Sequence, residues 1–293
     1  MVSTADQSRI KAIISQQLAI PVSSFRAEVI GGGSINDTYK LVINGSLRFF
    51  CKINSTEKFP RLFEKEKHGI ECLGNQHIIR VPRIIACESQ AQNQALILEW
   101  IEQGLKTEKF WANFGEQLAA LHHTSSSFFG FGEDNYMGAL PQSNKPSATW
   151  IDFLIHERFV PQIALALKKN LLEAGHARQF EKLYKKLEDI FPIETPSLLH
   201  GDLWSGNFLA DETGNPVLID PAVYFGHCSM DLAMTTLFGG YDKIFYKAYH
   251  YHFPFPNNYR EQWEICNLYP LLIHLNLFGK SYQSEIVRTI KHY

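Results

Sequence analysis

The stretch that decides the fold is LLHGDLWSGNFLADETGNPVLIDPA, residues 198–222. It places Asp202 and Asn207 in a D-x-x-x-x-N spacing, and Asp220 follows after two short apolar runs. A Gly-Asn pair lies between those runs, which is typical of a turn that joins two short strands. Such a hairpin would bring Asn207 and Asp220 close together, so the stretch predicts a site built from two carboxylates and one carboxamide.

The spacing of these three residues is typical of phosphoryl transfer. It matches the catalytic and metal-binding loops of kinases, with Gly201 where protein kinases have arginine. Asp202 is expected to accept the proton of the attacking hydroxyl. The amide oxygen of Asn207 and the carboxylate of Asp220 are hard ligands that suit Mg²⁺. The stretch therefore predicts a kinase that uses ATP and Mg²⁺, and the alternative is a set of unrelated aspartates in turns.

A glycine-rich segment, IGGGSINDTYKL at 30–41, joins two strand-like runs. It lacks the Lys-Ser/Thr ending of a P-loop. Glycines at such a turn let backbone N–H groups approach a phosphate closely, whereas a plain hairpin turn is the alternative interpretation. The residues expected to cover the phosphates of a nucleotide are Gly31, Gly32, Gly33, Ser34, Ile35 and Asn36.

Lys52 lies in a mostly apolar strand-like run, where a buried ammonium is costly unless it meets anions. Nucleotide phosphates and a glutamate of the next helix would supply them. Glu66 is the expected partner and Glu64 is the rival, while an exposed strand lysine is the alternative. Further along, the backbone carbonyl of Glu99 and the N–H of Ile101 are expected to pair with adenine, which rests on the order of the elements alone.

The remaining pattern predicts an α+β fold with two lobes. A short helix near 6–18 precedes a β-β-β-α-β-β unit, in which Asn44-Gly45 is a strong hairpin signal. From Thr107 onward the periodicity is mainly helical. We therefore expect a small antiparallel-sheet lobe at 1–101 and a large helical lobe at 102–293, with a cleft between them.

The predicted elements of both lobes have the following approximate bounds. The N-terminal strands are expected at 24–30, 37–43, 47–53, 83–88 and 95–101, and the helix between them at 59–75. Helices are expected at 107–124, 148–170 and 177–190 and in several segments after 228. The connection 124–149 is long for a loop and is therefore predicted to bind something.

Composition excludes several classes of function. The net charge of −2 gives no general attraction to nucleic acid or anionic lipid, so neither partner is expected. No apolar run approaches the roughly 18 residues of a membrane span, and the N-terminus lacks a signal-peptide pattern. The 5 cysteines are scattered and form no C-x-x-C motif, which favours reduced thiols in a cytoplasm over disulfides or a zinc site.

The sequence resembles the fructosamine kinase (ketosamine-3-kinase) family, a branch of the protein-kinase-like fold close to aminoglycoside and choline kinases. The resemblance spans nearly the whole chain, and HGDLWSGN and DPAVYFGH are its most specific blocks. The other blocks that carry it are GGGSINDTYKL, FCKIN, FEKE, FGEQLAALH, FGFGEDNYMGALPQSN, DLAMTTLFGG and LYPLLIHLNLFG.

The resemblance implies ATP-dependent phosphorylation of the 3-hydroxyl of ketosamines, which are fructosamine or ribulosamine adducts of small amines or of lysines in glycated proteins. This would be a deglycation repair step. The roles that it implies are Asp202 as base, Asn207 and Asp220 on Mg²⁺, and Lys52 with Glu66 on the phosphates. It also implies that Asp231 braces the catalytic loop, and we expect His200 to orient backbone there.

Two positions depart from the family pattern. Cys228-Ser229 stands where relatives often have Arg-Glu, and Ser34 stands where many have cysteine. An acidic or basic contact to the substrate or the loop is therefore in doubt, and a thiol switch at Ser34 is not expected.

Two other functions share these features. A kinase of another small hydroxyl compound, such as an aminoglycoside or an amino alcohol, would use the same catalytic residues. A silent nucleotide-binding module would retain the fold but has no need for the base. The substrate pocket separates these readings, and Trp204 and Tyr136 are expected to line it. The sequence leaves the preferred sugar, the amine and the oligomeric state open.

Overall fold

The computed structural model describes residues 3–31, 35–90 and 92–293. Three residues of the expected phosphate cover, Gly32, Gly33 and Ser34, lie outside the described residues. The family comparison at Ser34 therefore stays a prediction.

The N-terminal lobe is a five-stranded antiparallel sheet with one helix on each face. Its strands are arranged in the order β1-β2-β3-β5-β4. Its elements are α1 (Thr4–Leu18), β1 (Phe25–Val29), β2 (Asp37–Ile43), β3 (Leu47–Ser55), α2 (Leu62–Gly74), β4 (Ile84–Ser89) and β5 (Asn93–Glu99).

The predicted hairpin joins β2 to β3. Asn44 and Gly45 both have positive φ, at 52° and 75°, which is the conformation that a tight two-residue hairpin turn requires. The Asn44 side chain accepts hydrogen bonds from the backbone and the hydroxyl of Ser23, so the turn is also tied to the entry of β1.

Alternation along the strands decides where Lys52 points. Cys51 packs in the cluster that buries Ile14 of α1, so the neighbouring residue of β3 faces the opposite side of the sheet. On that side Leu96, the β5 partner of Lys52, packs with Phe63 of α2. Because side chains alternate between the two faces of the strand, Lys52 points toward α2.

The C-terminal lobe is mainly helical, with three small two-stranded sheets. Its helices are α3 (Glu108–His122), α4 (Trp150–Phe153), α5 (Val160–Lys168), α6 (Ala174–Tyr184), α7 (Leu187–Ile190), α8 (Ser229–Met234), α9 (Lys243–His252), α10 (Tyr259–Phe278) and α11 (Gln283–Ile290). Its strands are β6 (Asn135–Met137), β7 (Leu140–Gln142), β8 (Ser197–Leu199), β9 (Phe208–Ala210), β10 (Pro216–Leu218) and β11 (Tyr224–Gly226). The α+β fold is as predicted, while the boundary between residues 101 and 102 stays a prediction.

The helix predicted at 148–170 is present over 150–168, but its middle part is π-helical. A π-helical stretch, Leu154–Phe159, separates α4 from α5. It carries Arg158, which is fully buried and donates a 2.8 Å hydrogen bond to Asn144 Oδ1. The guanidinium lies 4.0 Å from the centre of the Tyr224 ring. The π-helical stretch therefore coincides with a buried arginine. Sequence periodicity cannot reveal such a residue, because arginine usually marks an exposed face of a helix.

Two further segments differ in detail from the prediction. The helical segment expected at 177–190 forms two helices, α6 and α7. The long connection 124–149 contains the β6–β7 hairpin, and β6 packs against α2. This hairpin therefore connects the two lobes next to the cleft.

Helix α2 lies close to the C-terminal lobe because it has a glycine at the contact. A Cβ added at Gly69 would lie 3.3 Å from a methyl group of Val223. The close approach places the helix that carries Glu66 directly over the loop that follows Asp220. Among the described residues, no helix has both the length and the apolar character needed to cross a membrane.

Candidate active site

Lys52 forms a buried ion-pair cluster between the lobes. Its side chain is 2% exposed, and its Nζ lies 2.7 Å from Glu66 Oε1 and 2.6 Å from Asp220 Oδ1. Burial on its own would lower the pKa of this ammonium, but Asp220 and Glu66 raise it above its ordinary value. The rival Glu64 pairs instead with Arg61, at 2.6 Å on the surface. The structure therefore joins Lys52 to Glu66 and not to Glu64.

Asp202 and Asn207 contact each other in the loop after β8. The Asn207 amide donates to the Asp202 carbonyl at 2.8 Å and to its Oδ2 at 2.9 Å, which leaves the amide oxygen of Asn207 available as a ligand. Burial, with help from the charge of Asp220, raises the pKa of Asp202 to about 7, against the opposing effects of Asn207 and Lys52. A carboxylate near neutrality is suited to accept a proton from a hydroxyl.

The β9–β10 hairpin brings Asp220 to the same place. The backbone N–H of Ile219 donates to the Asn207 carbonyl at 3.1 Å, so the two predicted metal ligands flank one connection. Asp220 has φ of 55°, a left-handed conformation that aspartate tolerates better than most residues. Its side chain is 41% exposed, while Lys52 beside it is buried. The carboxylate therefore lies at the edge between the buried ion pair and the open cleft.

Asp231 braces the catalytic loop from beneath. It is 1% exposed and accepts hydrogen bonds from the backbone N–H groups of His200, at 2.7 Å, and Gly201, at 2.9 Å. Gly201 has φ of 82°, and a Cβ there would lie 2.1 Å from the Ala222 carbonyl oxygen. The loop therefore needs glycine at this position and a carboxylate below it.

The His200 ring hydrogen-bonds to backbone groups through both of its nitrogens. Its Nε2 donates to the Ile219 carbonyl at 2.9 Å, and its Nδ1 accepts the N–H of Asp202 at 3.2 Å. Burial lowers the pKa of this imidazole, although Asp231 opposes the effect. The ring is thus neutral and joins the catalytic loop to the strand that leads to Asp220.

Sequence reasoning missed His122, which ends α3. Its Nε2 lies 3.3 Å from Asp231 Oδ2, and its Nδ1 lies 2.7 Å from the Tyr249 hydroxyl. Its actual position, beside the carboxylate that holds the catalytic loop, has no signal in local sequence.

A cavity of about 270 Å³ lies beneath the N-terminal sheet at the junction of the lobes. It contains both residues expected to meet adenine and one residue of the expected phosphate cover, Gly31. Its wall is formed by Ile30, Gly31, Thr38, Phe50, Pro82, Leu98, Glu99, Trp100, Ile101, Gln103, Gly206, Leu209, Ile219 and Asp220. The mostly apolar wall with backbone groups at its edge suits a flat heterocycle.

Arg80 links the lobes behind this cavity, which the sequence did not indicate. Its guanidinium donates to Glu99 Oε1 and to Asp211 Oδ2, both at 2.7 Å. The Glu99 side chain is therefore occupied in this bridge, and its backbone N–H donates to the Arg83 carbonyl. Only the backbone carbonyl of Glu99 remains for the predicted contact with adenine.

Asn54 hydrogen-bonds to Ile35 and Asn36, the last two residues of the expected phosphate cover. Its Nδ2 donates to the Ile35 carbonyl at 2.9 Å and to Asn36 Oδ1 at 2.7 Å. Ile35 and Asn36 line the cleft that also contains Lys52. The block FCKIN therefore supplies both a buried cation and an anchor for the predicted phosphate cover.

The interlobe cleft has a volume of about 150 Å³ and contains most of the predicted site. Both residues expected to contact the substrate, Trp204 and Tyr136, line it together with Lys65, which sequence reasoning missed. The full lining is Ile35, Asn36, Lys52, Leu62, Lys65, Glu66, Asn135, Tyr136, Gly138, Asp202, Trp204, Asn207, Asp220, Pro221 and Ala222.

Both aromatic rings of this cleft are held in place. The Tyr136 hydroxyl donates to the Pro60 carbonyl at 3.1 Å, across the lobe junction. The indole of Trp204 lies over Gly206, where a Cβ would come within 2.3 Å of the ring. Glycine at that position therefore lets the indole lie flat against the catalytic loop.

A chain of buried amides fixes the loop that follows Asp220. Tyr269 donates to Gln142 at 2.7 Å, and Gln142 in turn donates to Asn135 Oδ1 at 2.7 Å. Asn135 then donates to the Val223 carbonyl at 2.9 Å. The β6–β7 hairpin thus uses its inward polar side chains to position the loop that follows Asp220, a predicted metal ligand, which gives the long connection 124–149 a structural role.

Comparison with known proteins identifies the family of this chain. The model of the fructosamine kinase family matches residues 6–293. The chain belongs to the fructosamine kinase family. It is 39% identical over 290 residues to a protein named probable ketoamine kinase from Synechocystis, covering 99% of this chain and 97% of that protein. It is 34% identical to the chloroplastic protein-ribulosamine 3-kinase of Arabidopsis thaliana, covering 90% of this chain and 81% of that protein.

Solved structures of this family have the same architecture. A candidate fructosamine-3-kinase from Thermobifida fusca superposes with a TM-score of 0.85 at 30% identity, covering 96% of this chain and 97% of that chain. An aminoglycoside 2′-phosphotransferase at 14% identity gives a TM-score of 0.59, which shows a shared fold and no more. The resemblance seen in the sequence and the kinase-like fold are both confirmed.

The departure from the family pattern at Cys228-Ser229 lies away from the cleft. Cys228 is 6% exposed, and Ser229 is 2% exposed and donates from its hydroxyl to Gln262 at 2.9 Å. Neither residue lines either cavity described above. The departure therefore alters a buried junction between α8 and α10 and not the wall of the substrate cleft.

Proposed function

We propose that this protein is an ATP-dependent kinase that phosphorylates the 3-hydroxyl of ketosamines. The observation that carries the proposal is the meeting of Asp202, Asn207, Asp220 and the Lys52–Glu66 pair at one interlobe cleft. Membership of the fructosamine kinase family and the names of its relatives support the same substrate class.

The donor set suits a hard divalent cation. Asn207 offers an amide oxygen and Asp220 a carboxylate, and no cysteine or histidine lines the cleft within the described residues. Mg²⁺ held there would neutralise charge on the phosphates of ATP. We assign Lys52, kept in place by Glu66, to contact with those phosphates, and Gly31 to Asn36 to their cover.

The chemistry assigned to Asp202 is removal of one proton. It accepts the proton of the sugar 3-hydroxyl as that oxygen attacks the γ-phosphorus of ATP, and the bond from this phosphorus to the β–γ bridging oxygen breaks, so that ADP leaves. During the step, Asp231 holds the backbone of His200 and Gly201, and the His200 ring holds the backbone N–H of Asp202. Trp204 and Tyr136 are assigned to contact the sugar, because they lie in the same cleft.

The product of this reaction is chemically unstable, which supports a role in deglycation. The C2 carbonyl of a ketosamine acidifies the hydrogens on C1. Enolisation toward C1 lets the C3–O bond break with loss of inorganic phosphate, and hydrolysis of the resulting imine frees the amine. Phosphorylation at C3 therefore converts a stable adduct into one that falls apart.

All five cysteines are free thiols in the described structure. We infer a reducing compartment such as the cytoplasm, because disulfides are rare there.

The test is a substrate panel with an assigned product. The purified protein is incubated with Mg-ATP and, separately, ketosamines, aminoglycosides and choline, and the phosphorylated carbon is identified by NMR. We expect phosphate on C3 of a ketosamine. Turnover of only an aminoglycoside or choline would replace the proposed substrate class. ATP binding without turnover of any acceptor would instead indicate a silent nucleotide-binding module.

A further inference from the structure

We propose that an exposed aromatic surface beside the cleft binds the amine-bearing arm of the ketosamine. This surface, called the aromatic rim below, consists of Trp204, Phe238, His274, Phe278 and Tyr282. The proposal rests on the proposed function and extends it, because it names the part of the substrate that lies outside the sugar pocket. Its occupant is a secondary ammonium ion with the alkyl chain of a lysine attached.

Phe238 is the first observation behind this proposal. It has φ of 52° although it is neither glycine nor asparagine, and it is followed by Gly239 and Gly240, which also have positive φ. A bulky side chain in the left-handed region costs free energy, and core packing does not compensate here because Phe238 is 44% exposed. Backbone strain that presents a ring to solvent points to function.

The strained loop is tied to the catalytic loop. The hydroxyl of Ser205 donates to the Phe238 carbonyl at 3.1 Å, and Ser205 lies three residues after Asp202. The Phe238 ring meets Trp204 edge to face, with centroids 6.3 Å apart and planes at 89°. Because Trp204 lines the cleft together with Asp202, the rim begins where the sugar pocket ends.

The rim continues outward along α10. His274 lies 4.7 Å from Phe238, 5.4 Å from Phe278 and 5.1 Å from Tyr282 between ring centroids. Phe278 is 53% exposed at the end of the helix. The rings therefore form a continuous path from the cleft to the surface. This path is long enough for a substrate that extends beyond the sugar.

The chemistry of the rim suits a cation. In a ketosamine, only C1 and C2 separate the amine nitrogen from C3, so an acceptor placed at Asp202 holds its ammonium close to Trp204. Aromatic faces attract ammonium ions. Burial lowers the pKa of His274, so the ring adds no repelling charge. Its Nδ1 donates to the Pro270 carbonyl at 2.7 Å, which leaves Nε2 as an acceptor for an N–H group.

The test compares two fructosamines that share the sugar. One carries methylamine, and the other carries the ε-amine of lysine within a short N-acetylated peptide. Steady-state kinetics with both are measured for the wild type, Phe238→Ala, Phe238→Leu and Phe278→Ala. Tyr251→Ala is the matched control, because Tyr251 is an 82% exposed aromatic residue on α9 outside the rim.

We expect Phe238→Ala to raise KM for the peptide adduct by about 3- to 30-fold, the range of a cation–π contact. The leucine variant should lose as much, since it keeps an apolar side chain but no ring face. Phe278→Ala should raise KM for the peptide adduct more than for the methylamine adduct, because the smaller amine does not extend that far. KM for ATP should stay the same throughout, and Tyr251→Ala should match the wild type.

Unchanged KM values for the peptide adduct in both Phe238→Ala and Phe278→Ala would overturn the proposal. So would equal losses for both adducts in Phe278→Ala. Thermal unfolding of each variant reports folding, and the fully folded member of the Phe238 and Phe278 pair decides the result if the other is unstable. Turnover of the methylamine adduct by the wild type tests the proposed function separately. If it succeeds while the rim variants show no effect, the proposed function stands and only this inference fails.

Discussion

Replacement of Asp231 by asparagine tests whether the catalytic loop depends on the carboxylate beneath it. Each carboxylate oxygen of Asp231 accepts one backbone N–H, from His200 at 2.7 Å and from Gly201 at 2.9 Å. An amide of the same shape keeps one acceptor oxygen and turns an NH₂ group toward the other donor. One N–H in a site that is 1% exposed is then left without an acceptor.

The expected losses of stability and of activity follow from this one unpaired N–H group. A hydrogen bond to a charged group contributes about 1.5–3 kcal/mol, and a buried donor left unpaired costs a similar amount. Asp231→Asn should therefore lower the free energy of unfolding by about 2–3 kcal/mol. The displaced backbone carries Asp202, so kcat should fall by roughly 10²-fold, the cost of a misplacement of about 1 Å.

Asp211 supplies the matched control. It is 3% exposed, and its Oδ1 accepts two backbone N–H groups, from Thr213 and Asn215, both at 2.9 Å. Its Oδ2 accepts from Arg80 at 2.7 Å, so an amide there would turn an NH₂ group toward a guanidinium, but the residue lies in the β9–β10 turn. Asp211→Asn should lose similar stability with little change in kcat. Urea unfolding and steady-state kinetics measure both quantities. If Asp231→Asn keeps the wild-type kcat, or if Asp211→Asn loses as much kcat, the bracing role of Asp231 is wrong.

Three further outcomes are expected. Asp202→Asn should keep ATP binding and lose about 10²–10⁴-fold in kcat, the share of a positioned general base, and full turnover in rapid-quench assays would remove that role. Asp220→Ala should abolish Mg²⁺-dependent nucleotide binding, and calorimetry that finds wild-type affinity would contradict the metal assignment. Burial on its own would raise the pKa of Asp211, but hydrogen bonds from Thr213, Asn215 and Arg80 hold it down at about 2. Because the pKa is lower in the folded protein, this stabilisation is present near neutral pH and is lost as the pH falls toward 2. The stability advantage of the wild type over Asp211→Asn should therefore shrink by about 1–2 kcal/mol between pH 5 and pH 2, and a difference that stays constant in urea titrations would refute it.

Local patterns predicted the elements near the cleft well. The Asn44-Gly45 turn, the strand that carries Lys52 and the helix that carries Glu66 all follow from alternation and from turn residues, which act over a few positions. The same rules predicted the helix at 148–170 but not its π-helical stretch, which carries the buried Arg158. Periodicity treats an arginine as exposed, so it cannot place one inside a core of aromatic rings.

The sequence by itself determined which groups are candidates for the chemistry, because the spacing of Asp202, Asn207 and Asp220 is a short-range property of one loop and one hairpin. Only the tertiary structure decided what holds those groups. His122 lies beside Asp231 although 109 positions separate them, and Arg80 spans 131 positions to reach Asp211. Such contacts depend on how helices and strands pack in three dimensions. The aromatic rim could not be predicted from the sequence for the same reason, because its rings come from three separate segments and meet only when the chain is folded.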